Sequence, residues 1–113
     1  MGARLERFNE PVVLAALRRG SAHGYDLADS LRPWIPEDQI DLGNLYRMLR
    51  SMEEDGIVRS QWSQDDPGRA KRTYELTDDG AQLLDAWLAS LRAAGDTIAA
   101  FLSEHGEGEK GSE

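Results

Sequence analysis

The chain has 113 residues, a hydrophobic fraction of 40% and a formal net charge of -8, enough length and apolar content for one small domain with its own core. It contains no cysteine, which excludes disulfides, thiolate metal sites and cysteine nucleophiles. No apolar run near the start is long enough for a signal peptide or a membrane span, so cytoplasmic residence is the expectation.

Residues 11–19 predict a first helix. Pro11 suits a first turn, where its missing N–H costs nothing, while Val13, Leu14 and Leu17 form a buried stripe and Gly20 ends the segment. Residues 21–25 read as a turn into a second short helix over 26–32, with His23 and Gly24 shaping its entry. Pro33 and Pro36, flanking Trp34 and Ile35, break that helix. Asp41 is the expected N-cap of a third helix reaching Asp55, whose apolar positions Leu42, Leu45, Leu49 and Met52 fall at steps of three and four. Gly56 offers a left-handed cap. The period then changes: Ile57, Val58 and Trp62, and later Thr73, Tyr74 and Leu76, are strand formers. They flank a turn at Asp65, Asp66, Pro67 and Gly68, giving a hairpin over roughly 57–77. Thr77 is the expected N-cap of a fourth helix over 81–103, with apolar positions at Leu84, Trp87, Leu88, Leu91, Ala94, Ile98, Phe101 and Leu102. The residues from Gly106 onward are small, polar and acidic, the composition of a disordered tail.

The expected fold class is α+β, mostly α: a winged helix-turn-helix followed by a C-terminal helix. Residues 1–80 form a DNA-binding domain in this reading, 81–103 a dimerisation helix and 104–113 a disordered acidic tail. Double-stranded DNA is the first partner to consider, because a polar-faced helix here feeds a hairpin with a basic tip. The acidic balance speaks against it, since phosphate neutralisation dominates DNA affinity. Residues 81–113 nevertheless hold half of the negative excess, and Arg47, Arg50, Arg69, Lys71 and Arg72 can gather on one surface.

Arg47 and Arg50 suit guanine edges or phosphates; a solvated helix face is the plainer account. Asn44 and Tyr46 occupy the first turn of the third helix, where recognition helices touch DNA. Asn44 suits adenine or a phosphate and Tyr46 a phosphate; local capping or packing explains them equally well. Arg69, Lys71 and Arg72 form the wing, where an arginine can enter the minor groove. Tyr25 either packs or meets a phosphate. With His23 and His105 far apart in the chain, three or four clustered metal ligands are not in view, and no cofactor is expected. Nor is there a Ser/His/acid set, a phosphate-binding glycine loop or a carboxylate pair on a strand framework, so the chain does not read as an enzyme. Leu84, Trp87, Leu88, Leu91, Ile98 and Phe101 make a stripe wider than a small core can cover, which predicts a homodimer through the fourth helix.

Four segments in order and spacing carry a family resemblance: residues 22–27 (AHGYDL), 42–46 (LGNLY), 49–56 (LRSMEEDG) and 74–80 (YELTDDG). Together they resemble the PadR family of bacterial transcriptional regulators over about residues 8–103. The resemblance implies a homodimeric repressor, and the single helix after the wing implies the shorter subfamily. It also implies a planar or apolar effector, a drug or phenolic compound bound near the dimer interface, for which Trp34, Trp87 and Phe101 are the candidate residues. The chain departs from many relatives at Asn44 and Arg47, where they carry Thr or Ser and Pro, and this implies a different operator. The reading from another class is a winged helix that has lost DNA binding and pairs with protein through its long helix.

Overall fold

A computed structural model describes residues 9–20, 22–36, 38, 41–66 and 69–106; for Ala22, Gly24, Tyr25, 63–66 and 69–71 it describes the backbone alone. Helix α1 (Asn9–Arg18) starts two residues before the predicted segment and buries Val12, Val13, Leu14 and Leu17. A two-residue strand, β1 (Ala22–His23), follows and leads directly into α2 (Gly24–Leu31). The sequence reading had a turn at this place. β1 exists because β3 offers it an edge: Ala22 pairs with Tyr74 and His23 with Thr73. Two residues are too few to show a period of their own.

Helix α3 (Leu42–Glu54) is capped as expected, the Gly43 N–H donating to Asp41 Oδ1 at 3.0 Å. It buries Leu45, Leu49 and Met52 and turns its polar side outward. Gly56, at φ 79°, makes the left-handed step from α3 into β2 (Val58–Asp66), a conformation that costs an L side chain about 1 kcal/mol or more. β2 pairs antiparallel with β3 (Arg69–Leu76), in the sheet order β1-β3-β2. The strands reach Asp66 and Arg69, so Pro67 and Gly68 of the predicted turn lie outside the described residues.

Helix α4 (Asp78–His105) begins three residues earlier than predicted. Thr77 ties its start to the rest of the fold. Its hydroxyl accepts from the Gly80 N–H at 3.1 Å and reaches the carbonyls of Gly56 and Ile57 at 2.7 and 2.9 Å, while its own N–H donates to Ile57 at 3.0 Å. The first part of α4 then crosses α1. The indole N–H of Trp87 donates to Glu10 Oε1 at 2.9 Å, and Arg18 pairs with Asp85 at 2.5 Å. Leu84 is 1% exposed and lies in the common core with Leu14, Leu17, Leu27, Leu49, Val58 and Tyr74, and Trp87 and Leu88 pack partly against it. Leu84 therefore does not belong to an open interface stripe; it is intramolecular core. Beyond Leu91 every residue to His105 is exposed, including Ile98, Phe101 and Leu102. The helix also runs on through Glu104 and His105, which the sequence reading had placed in the disordered acidic tail; residues 107–113 lie outside the described residues.

Candidate nucleic-acid interface

Helical geometry decides which α3 side chains can meet a partner. With Leu45, Leu49 and Met52 turned inward, Asn44, Tyr46, Arg47 and Arg50 fall on the opposite side, and all four are exposed. Asn44 and Arg47, one turn apart, bond to each other, the guanidinium donating to the carboxamide oxygen. A base edge or phosphate must compete with that bond. Glu53 and Glu54 follow at the end of the helix, so the basic character belongs to its first three turns.

The hairpin lies against this helix through a polar junction. Ser60 Oγ donates to Glu53 Oε2 at 2.7 Å and accepts from Arg72 Nε at 3.0 Å. A terminal nitrogen of Arg72 stands 3.7 Å from Glu53 Oε1. Arg72 is thus held between wing and α3, not projected from the wing tip as the sequence suggested. The side chains of Tyr25, Arg69 and Lys71 lie outside the described residues. The Tyr74 phenol marks the centre of the junction: burial pushes it above its ordinary value, with Arg72 and Arg50 pulling it down and Tyr46 and Glu53 pushing it up. Helix α3 and the wing are therefore joined through Glu53, Ser60 and Arg72, above the buried Tyr74. On the far side of the sheet Arg59 and Glu75 make a cross-strand ion pair at 2.6 Å.

The environments of two side chains were not visible in the sequence. Trp62, taken there only as a strand former, is 61% exposed. His23 Nδ1 is buried and bonds to nothing among the described residues. The candidate effector residues are not brought together within one chain. Trp34 lines an apolar groove of about 230 Å³ between α1 and α4, with Pro11, Val12, Leu88 and Leu91. Trp87 is turned to Glu10, and Phe101 stands far along α4 with its ring centroid 4.7 Å from that of His105. Among the described residues no group of three or more His, Cys, Asp or Glu could hold a metal ion, and no helix is long and apolar enough to cross a membrane.

The arrangement has close counterparts. The PadR-like family of transcriptional regulators matches residues 13–86. A PadR-like transcriptional regulator from Bacillus cereus superposes with a TM-score of 0.77 at 20% identity, over 87% of this chain and 94% of that one. A PadR family transcriptional regulator from Eggerthella lenta gives 0.70 at 27% identity, over 89% of each chain. The Bacillus subtilis PadR solved in complex with operator DNA gives 0.63 at 25% identity, over 73% of this chain and 46% of that longer one. No curated protein sequence matches the chain significantly. The matched segment takes in most of the helix-turn-helix, the whole wing and the docked start of α4, and on that ground the chain belongs to the PadR-like family of transcriptional regulators, not to an enzyme family.

Proposed function

We propose that the protein is a homodimeric repressor binding a pseudo-palindromic operator. α3 of each subunit enters a major groove, and the wing grips the neighbouring backbone or minor groove. The observation that carries this reading is the joining of α3 to the wing, with Asn44, Tyr46, Arg47 and Arg50 exposed on the helix. The B. subtilis PadR bound to operator DNA supports it. The two recognition helices of such a dimer stand about 34 Å apart, one DNA turn.

The dimer contact in this proposal is the outer part of α4, where Ile98, Phe101 and Leu102 are 57%, 60% and 54% exposed, together with the groove lined by Trp34, Leu88 and Leu91. A planar or apolar effector entering that groove changes the angle between the two α4 helices, and it releases DNA only by binding the two arrangements with different affinity. A gel shift with DNA from upstream of the protein's own gene tests the proposal. Specific retention at moderate salt is expected. Retention of no DNA, with a stable protein partner instead, favours the interaction-module reading that the net charge of -8 supports.

A further inference from the structure

Strand alternation puts Val58, Ser60 and Trp62 on one side of the hairpin, opposite Leu76, Tyr74 and Arg72. At the base of that side, Val58 and Tyr74 enter the core. One step outward, Ser60 bonds to Glu53 of α3. Trp62 lies one step further, still on the side turned toward α3 but past the core that could cover it. Directly across the ladder, the Arg72 guanidinium sits 5.4 Å from the centre of its ring. Arg72 gives its Nε to Ser60, and its approach to Glu53 is 3.7 Å, too long for a hydrogen bond.

We propose that Trp62 and Arg72 form one composite contact to the nucleic-acid backbone, with the indole face against a deoxyribose and the guanidinium on the adjacent phosphate. The inference rests on the DNA-binding reading above and assigns a residue that the basic wing alone does not. An open indole suits the apolar side of a sugar. The ring's other face holds the arginine in place before contact, so less side-chain freedom is lost on binding. A phosphate oxygen displaces the loose approach to Glu53 with a charge-assisted hydrogen bond. Such a contact carries no base information, so it strengthens binding to every duplex alike.

The chain has three tryptophans, and the emission of the parent minus that of Trp62→Phe isolates the signal of Trp62. Titration with the gene's upstream duplex and with a random duplex should change its emission in both cases. Trp62→Ala should weaken both complexes about tenfold, a loss of about 1.4 kcal/mol, without altering the salt dependence. Arg72→Ala should weaken both and lower the salt slope by about one unit. If the duplex is retained while Trp62 emission stays unchanged and Trp62→Ala binds like the parent, this inference falls alone. Emission that follows protein concentration and ignores DNA assigns Trp62 to a contact between copies and also overturns it. If the parent protein retains no duplex, the DNA-binding reading falls and takes this contact with it.

Discussion

A methyl group at Gly80 would run into the Ile57 carbonyl and come within 2.7 Å of Leu76 Cδ1. Alanine ordinarily favours a helix over glycine by about 1 kcal/mol, but the obstruction here is a backbone carbonyl already bonded to Thr77, which cannot swing aside. Gly80→Ala should therefore destabilise the protein by about 1–3 kcal/mol, measured by denaturant melting; a stabilised variant would show that α4 can slide on the hairpin. Tyr74 gives a prediction in pH. Its folded value lies above the ordinary 10.0 because burial disfavours the phenolate. Its contribution is thus fully present below that ordinary value and is lost as pH climbs through the raised folded one. The parent should lose stability in that alkaline window more steeply than Tyr74→Phe, and parallel curves would contradict the assignment. On α3, Asn44→Ala or Arg47→Ala should erode discrimination between operator and random DNA by about 1–3 kcal/mol per lost base contact. Arg69→Ala and Lys71→Ala should instead weaken both DNAs alike. Competitive gel shifts separate the two patterns.

Among the elements, the junction at Thr77 matters most, because one hydroxyl caps α4 and bonds to the turn after α3. Thr77→Ala should cost about 1–2 kcal/mol and loosen the wing; faster hydrogen exchange at Val58 and Leu76 would report the second effect. The two ends of this junction were readable in advance, since Thr77 as N-cap and Gly56 as helix stop are local signals, but the bonds that join them were not. Also readable were the stripe of α3 and the two strand-forming runs. What stayed hidden depended on distant partners. β1 becomes a strand only through Tyr74 and Thr73. Leu84 looks like Leu91 or Ile98 on a helical stripe, and only the way α4 crosses α1 sends it into the core. Arg72 joined the wing tip by its place in a basic run, yet the register that sets it opposite Trp62 and beside Ser60 draws it back toward α3. Alternation counted from Val58 would have placed Trp62 on the α3 side, but not its exposure.

For the molecule as a whole, assembly is the central expectation. The proposed homodimer should sediment as such at micromolar concentration, and Phe101→Asp should yield a monomer that keeps the fold but loses the operator. A Phe101→Asp chain that remained dimeric would move the interface elsewhere. α4 has 28 residues, about 42 Å at 1.5 Å per residue, and its outer half makes little contact with the domain that carries it. A helix of that length standing free frays from its end, since most helical stability comes from a packed face. In the proposed dimer a second copy supplies that face, and by mass action the ordering of α4 then depends on how much of the protein is present. Abundance itself becomes an input: below the dimer's dissociation constant the chain is a single reading head with a loose strut, and above it a rigid pair. A repressor built this way switches with its own copy number before any effector arrives.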